Sequence, residues 1–157
     1  MNAAELLSAV QAKSPGLQAI PKPEGQTRGE ELYLSVPAAE LTELCRFLRY
    51  DPPLSFDFLS FVTSIDWKTH FEVVYYLIST IHKQKLVLKV KVEDRTSPVV
   101  PTISTVWPAA DWQEREIFDM MGIRFQGHYN MRRILLPDDW EGYPLRKDFV
   151  AKADRYD

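Results

Sequence analysis

The sequence predicts an α+β fold, a two-layer sandwich with helices on one face of a mostly antiparallel mixed sheet and a long extended C-terminal arm. Three observations carry this reading. Strand-like runs follow one another from Phe58 to Glu93 with only short connections, as in a meander. Segments before and after that meander place apolar residues at helical spacing. From Ile123 onward neither period is present, although the segment is rich in aromatic and aliphatic residues.

The elements follow in order. Asn2 and Glu5 have the spacing of a capping box, and Leu6, Leu7 and Val10 continue at helical spacing until Ser14, Pro15 and Gly16 stop them. Leu17 to Ile20 reads as a brief strand and Pro21 to Gly29 as a Pro/Gly-rich loop. Leu32, Leu34 and Val36 alternate with Glu31, Tyr33 and Ser35, the pattern of a half-buried strand. Pro37 suits a first helical turn; Leu41, Leu44, Cys45 and Leu48 then recur at i, i+3, i+4 and i+7, and Asp51, Pro52 and Pro53 end the helix.

Phe58 to Trp67 forms one expected strand. In Phe71 to Thr80 both faces are largely apolar, which predicts a central strand. Leu86, Leu88, Val90 and Val92 alternate with Lys85, Lys89, Lys91 and Glu93, predicting an antiparallel strand with one face in water and its lysines solvated there. Asp94 to Pro101 reads as a loop. A charged helix begins near Pro108 or Asp111 and ends at Gly122, a residue suited to a left-handed C-terminal cap. The expected organisation is an α+β domain over residues 1–122 and an extended, partner-binding arm over 123–157.

Composition narrows the function. A chain of 157 residues buries an ordinary core without disulfides or a structural metal. The formal net charge of -3, from 19 basic and 22 acidic residues, gives no global basic field for nucleic acid or anionic lipid. The N-terminus lacks the basic start and long apolar run of a secretory signal. The richest apolar stretch, Leu54 to Trp67, is interrupted by polar residues well before the ~18 continuous apolar residues that a span requires. Cys45 is the only cysteine, which excludes an intrachain disulfide and a self-contained cluster needing about four thiolates. Its place on the helix stripe predicts a small core residue in a chain suited to a reducing compartment.

The charged helix allows two readings. Arg115 and Asp119 are one turn apart, and Asp111 either extends that row or caps the helix with Glu114 three positions on. These acids and Glu116 form either a self-paired solvated face or a set of groups reaching neighbouring backbone or a partner's arginines. Glu114 borders the apolar side, where a carboxylate must be paired or have its pKa raised. Enzyme signatures are thin. No dinucleotide or phosphate-loop pattern occurs among the six glycines, and His70, His82 and His128 lack metal-ligand spacing. His128 beside Gly127 reads as a turn residue; an acid/base site of Glu114, Glu116, Asp119 and His128 is the weaker alternative. The segment after Ile123 is too long for a plain loop and too aromatic for plain disorder, so a partner surface is expected to order it.

Four stretches carry a resemblance: WPAADWQEREIFDMMGI (Trp107–Ile123), FQGH (Phe125–His128), RRILLPDDW (Arg132–Trp140) and GYPLRKD (Gly142–Asp148). Together they resemble the signature of the NuoC-type, or 30-kDa, subunit family of NADH-quinone oxidoreductase, respiratory complex I (NDH-1). FEVVYYLIS (Phe71–Ser79) and LVLKV (Leu86–Val90) are similar to that family's central strands, so the resemblance spans Glu31 to Asp148. Tyr129 replaces an expected proline, and Met120 with Met121 replaces a commoner aliphatic–aromatic pair.

The resemblance implies a peripheral-arm scaffold subunit of a proton-translocating complex, on the cytoplasmic side of a bacterial inner membrane or the equivalent face of an organelle. It implies no catalytic, cofactor-binding or metal residue in this chain; iron–sulfur clusters, FMN and quinone belong to partner subunits. Those partners are chiefly the quinone-reducing (NuoD-type) and cluster-bearing (NuoB- and NuoI-type) subunits. Expected interface residues are Glu114, Arg115, Glu116, Asp119, His128, Arg132, Arg133, Pro137, Asp138, Asp139, Trp140, Tyr143, Pro144, Arg146 and Lys147. Similar subunits occur in membrane-bound hydrogenases, archaeal deazaflavin dehydrogenases and photosynthetic complexes, so an equivalent role there is the second expectation. A free-standing enzyme using Glu114 and His128 is the third.

Overall fold

The computed structural model describes residues 2–25 and 31–152; positions 26–29 of the expected loop and 153–157 of the expected arm lie outside the described residues. The elements run α1 (Ala3–Lys13), β1 (Gln18–Ala19), β2 (Glu31–Ser35), α2 (Leu41–Tyr50), β3 (Phe58–Asp66), β4 (Phe71–Ser79), β5 (Gln84–Val92), β6 (Val99–Pro101), α3 (Ala110–Met121) and β7 (Arg124–Gln126). A 3-10 turn over Ala38–Glu40 leads into α2.

The helices form where side-chain spacing and caps agree. The Asn2 side chain accepts from the Glu5 N–H and the Glu5 carboxylate accepts from the Asn2 N–H, so the α1 capping box is closed in both directions. Leu41, Leu44, Cys45 and Leu48 make the buried stripe of α2. Gly122 ends α3 at φ +73°, the left-handed conformation that glycine adopts without a Cβ penalty.

Five strands pair in the order β1-β2-β5-β4-β3. Only β2 and β5 are parallel; the other pairs are antiparallel, which makes the sheet mixed and mostly antiparallel. Phe71, Val73, Tyr75 and Leu77 of β4 face the helices and are fully buried with Leu86, Leu88 and Val90 of β5 and the stripes of α1 and α2. β3 is an edge strand, and α3 runs beside it. There the Gln113 side-chain oxygen accepts the Val62 N–H at 2.6 Å, closing a backbone donor that the edge would otherwise expose.

Three local expectations are corrected. Residues 99–101 and 124–126 are strands, paired in parallel as a separate two-stranded sheet. Three residues are too few for alternation to be read, and pairing between distant segments supplies the order. Helix α3 starts after Ala109 with no side-chain cap, so Asp111 is not a cap; its carboxylate is engaged by the turn after β7. The lysine-bearing face of β5 is not simply solvated. Val87 is buried there against Tyr33 and Val74, and Lys89 pairs with Glu72 at 3.2 Å.

Replacing Gln113 with leucine removes the side-chain acceptor of the Val62 N–H while conserving most of the side-chain volume. Urea unfolding is expected to show a loss of about 1–2 kcal/mol. An unchanged midpoint would mean that water replaces the side chain at no cost.

Candidate functional site

The segment after β7 has no regular structure from Gly127 to Lys152, yet α3 holds it in place. The anchor is Asp119, fully buried on the last turns of the helix. One carboxylate oxygen accepts the N–H groups of Ile134 (3.2 Å), Leu135 (2.7 Å) and Leu136 (2.9 Å). The other accepts from the Arg133 guanidinium at 2.7 Å. Burial by itself raises a carboxyl pKa, but Arg133 and these N–H donors outweigh it and hold Asp119 below its usual value. Arg133 also donates to the Asp119, Trp140 and Gly142 carbonyls, so one guanidinium ties the tail's next loop to the helix.

Arg115 does not pair with Asp119, as helical spacing allowed. It donates instead to the Arg132 and Arg133 carbonyls at 3.2 and 3.0 Å, because the tail's unpaired carbonyls lie across the same helix face. Of the two readings of the helix charges, the structure realises contact with neighbouring backbone.

Arg146 makes the next anchor. Its guanidinium donates to the Met121 carbonyl at the C-terminal end of α3 and to the Arg95 carbonyl, and the Leu145 N–H donates to the Met120 carbonyl. A cation at a helix C-terminus is favoured by the helix dipole. Rings and guanidiniums alternate through this region: Arg133 and Arg146 lie 5.1 and 4.9 Å from the Tyr143 ring centre, and Arg146 and Arg95 lie 5.0 and 4.4 Å from that of Phe71. A Cβ on Gly122 would come within 2.6 Å of both Tyr143 and Arg146, so glycine is required by close approach as well as by φ.

The tail's far end is fixed by Asp66, a buried acid at the end of β3. It pairs with Arg95 and accepts the Lys147 N–H at 2.9 Å and the Lys68 N–H at 2.7 Å. Arg95 above all holds its carboxyl well below the usual range. Sequence reasoning missed Asp66 and Arg95 because each stands alone at or beyond a strand end, with no spacing to mark it.

His128 and Tyr129 form a separate hook onto the start of α3. The His128 Nδ1 accepts the Asn130 N–H, which leaves Nε2 to donate to the Asp111 carbonyl at 3.1 Å. The Tyr129 ring stacks on His128 and its hydroxyl donates to the Asp111 carboxylate at 2.6 Å. Tyrosine thus makes contacts that proline at that position would lack.

Glu114 serves neither the tail nor His128. It is buried against the turn that follows β6, where its carboxyl bonds the Thr102 hydroxyl and accepts the Ile103 N–H at 2.8 Å. Burial pushes its pKa from 4.5 up to about 7, against the lowering effect of those donors. The four groups of the acid/base reading are held apart in their bonding: Glu114 and His128 have separate partners, Asp119 is committed to the tail, and Glu116 faces solvent. Among the described residues no group of three or more His, Cys, Asp or Glu is arranged to hold a metal ion.

The remaining expected residues divide by exposure. Tyr143, within the arginine stack, and Pro144 are half-buried, while Arg132, Pro137, Asp138, Asp139, Trp140 and Lys147 face outward. Large apolar groups outside the expected interface set are exposed as well, including Trp112, Leu135 and Leu145.

These anchors make distinct demands on stability. Asp119→Asn leaves the Arg133 guanidinium without its buried counter-charge and is expected to lower stability by about 3 kcal/mol. Hydrogen exchange should show lost protection at Ile134 to Leu136; retained protection there would refute the anchor. For Glu114 the folded pKa is raised, so the folded state holds the proton more tightly. Its stabilising contribution is full below pH 4.5 and is lost as pH rises toward about 7, an effect on the order of 3 kcal/mol. The lowered Asp66 and Asp119 pKa values act oppositely, with stability lost as pH falls below 3.8. Denaturant midpoints for the chain and Glu114→Gln should converge at low pH and separate toward neutrality.

Comparison with known proteins is consistent with this architecture. Residues 34–155 match the family model described as respiratory-chain NADH dehydrogenase, 30 Kd subunit. A relative from Roseiflexus sp. (strain RS-1), the C-type subunit of an NADH-quinone oxidoreductase, is 46% identical over 127 residues, 79% of this chain and 72% of that protein. The second of the C-type subunits of NADH-quinone oxidoreductase in Rhizobium meliloti (strain 1021) is 44% identical over 122 residues, 76% of this chain and 66% of its own length. Among solved structures, a chain of the membrane-bound sulfane sulfur reductase, an archaeal respiratory membrane complex, superposes with a TM-score of 0.74 at 28% identity, covering 98% of this chain and 94% of that one. The chain therefore belongs to the family of the 30-kDa subunit of respiratory-chain NADH dehydrogenase.

Proposed function

We propose that this chain is a scaffold subunit in the peripheral arm of an NADH-quinone oxidoreductase and has no redox centre of its own. It docks the quinone-reducing subunit beside the cluster-bearing subunits while electrons pass from NADH to quinone in those neighbours. Iron–sulfur clusters, FMN and quinone belong to the partners, and the chain reaches the cytoplasmic side of the membrane through them. Among the described residues no helix is long and apolar enough to cross a membrane.

One observation carries the reading. The tail is pinned from beneath by Asp119, Arg133, Arg146 and Asp66, yet it turns Leu135, Trp140 and Leu145 outward with Arg132, Pro137, Asp138 and Asp139 around them. Fixing the backbone in advance lowers the ordering cost of association. Exposed Trp and Arg are residue types that dominate binding energy when a partner covers them. The likeness to a subunit of the sulfane sulfur reductase complex over nearly the whole chain favours a second reading, an equivalent subunit in a related respiratory membrane complex.

Deleting the tail is a poor test, because it strips the buried Asp119 of its tail N–H donors and of Arg133. Trp140→Ala combined with Leu135→Asp alters only exposed side chains. The double variant is expected to keep the thermal midpoint of the isolated chain and to reduce its share in the assembled complex by about tenfold or more. NADH-to-quinone activity of the membranes should fall with it. Full incorporation and unchanged activity would refute the docking role.

A further inference from the structure

We infer that Glu114 is a proton-binding site served from the surface by a chain of two hydroxyls, those of Ser104 and Thr102. The site belongs to the chain itself and does not depend on which complex takes the chain up.

The geometry runs inward in short steps. On the turn after β6, Thr105 is exposed and Ser104 half-buried, whereas Thr102 and Glu114 are buried. The Ser104 and Thr102 hydroxyls lie 2.7 Å apart, and the Thr102 hydroxyl donates to one Glu114 carboxylate oxygen at 2.5 Å. Either member of the hydroxyl pair can be the donor, so this link can be polarised in both directions. The Ser104 N–H donates to the Thr102 hydroxyl oxygen at 3.1 Å and keeps the two side chains on one turn. Support of the carboxylate needs only the Thr102 hydroxyl and the Ile103 N–H; Ser104 extends the hydrogen-bonded path toward water.

The path ends at Glu114. Its other oxygen accepts the Ile103 N–H at 2.8 Å, a backbone donor that does not relay protons. Farther in, the buried Tyr75 hydroxyl of β4 has no hydrogen-bond partner, so no bond links it to the carboxyl. A proton that arrives is held at Glu114 instead of being passed on.

The surroundings let the site load near neutrality. Among the described residues no cation pairs with Glu114. The titratable groups in electrostatic reach are Asp111 on its own helix, Tyr75 of β4 and Cys45 of α2. Burial above all, and then the Glu114 charge, pushes the Tyr75 and Cys45 groups upward, so both stay protonated while Glu114 titrates. The turn after β6 contributes hydroxyl and N–H donors without a charge, and the Asp66 charge on neighbouring β3 is committed to Arg95. Burial raises the Glu114 pKa most, the Thr102 and Ile103 donors pull it down, and the Asp111 charge raises it again, to about 7.

Loading transfers one proton overall. A hydronium ion at the surface gives a proton to the Ser104 oxygen and becomes water. Ser104 passes its own hydroxyl proton to Thr102, and Thr102 passes its own to Glu114. Each hydroxyl keeps one hydrogen, and the new carboxyl donates to the Thr102 oxygen. Release runs in reverse, with water at the surface accepting the proton.

The test follows the Glu114 side-chain carboxyl by carbon-13 NMR in the full chain, with Glu114→Gln assigning the signal. One signal is expected to move with pH about a midpoint of about 7, because the relay keeps the two protonation states in fast exchange. Ser104→Ala removes the outer hydroxyl and leaves both Glu114 hydrogen bonds in place. Its midpoint is expected to hold while the single signal splits into protonated and ionised lines, and Ser104→Thr, which keeps a hydroxyl, should retain the single line. A carboxyl signal that does not move across neutral pH would overturn the inference. So would an unaltered line shape in Ser104→Ala, or a splitting that Ser104→Thr shows equally.

Discussion

The buried carboxylate of Asp119 sets the geometry on which the C-terminal third depends. A charge taken out of water needs hydrogen bonds for its lone pairs and a counter-charge close by. Asp119 obtains both from the tail: three successive backbone N–H groups and the Arg133 guanidinium. Neither side is satisfied alone. The acid on α3 requires the tail to fold back, and the N–H groups of Ile134 to Leu136, lacking helix or sheet partners, require an acceptor. A segment without hydrophobic periodicity thereby acquires a single path over the domain.

That path continues through cations and rings. Arg133, Tyr143, Arg146, Phe71 and Arg95 alternate from the tail into the sheet, and the outer arginines meet Asp119 and Asp66. Phe71 is a fully buried residue at the start of β4, so the stack joins the tail to the hydrophobic core. Guanidiniums suit this role because they are planar, weakly hydrated and able to donate along their edges while stacking on their faces. Arg146 does both, bonding the Met121 carbonyl while lying against two rings. The side groups pinned beneath are spent on the chain itself; those left outside form the proposed contact surface. Burial divides the expected interface residues into anchors and presenters, a division of labour invisible in the order of the residues.

The sheet distributes its surfaces similarly. One face is buried under α1 and α2, and on the other Tyr33, Val74 and Val87 are buried together with Ile20 packed against them. α3 stands at the β3 edge, where Gln113 closes a strand donor while Glu114, one residue on, reaches the turn after β6. The same helix therefore connects the main sheet, the small parallel sheet and the tail. Its charges are joints between elements, and Glu114, buried with pKa about 7, is the joint that responds near neutral pH.

The sequence by itself determined what depends on neighbours a few residues apart: the Asn2–Glu5 capping box, the stripe of α2, the strands from Phe58 to Val92, and Gly122 as the end of α3. These rest on local periodicity and cap chemistry, which are written in consecutive residues. The motifs from Trp107 to Asp148 also identified the family. Tertiary structure decided the rest. Residues 99–101 and 124–126 are strands only because they pair with each other, Val87 is buried because Tyr33, Val74 and the residues packed on them, Ile20 among these, surround it, and Asp111 turns to Tyr129 instead of capping its helix. Arg115 and Asp119 had the spacing of a helical ion pair, worth only a few tenths of a kcal/mol when exposed. Backbone groups from residues 132–136 offered each of them more, since a buried charge binds the donors or acceptors that remove its desolvation penalty, however distant in sequence.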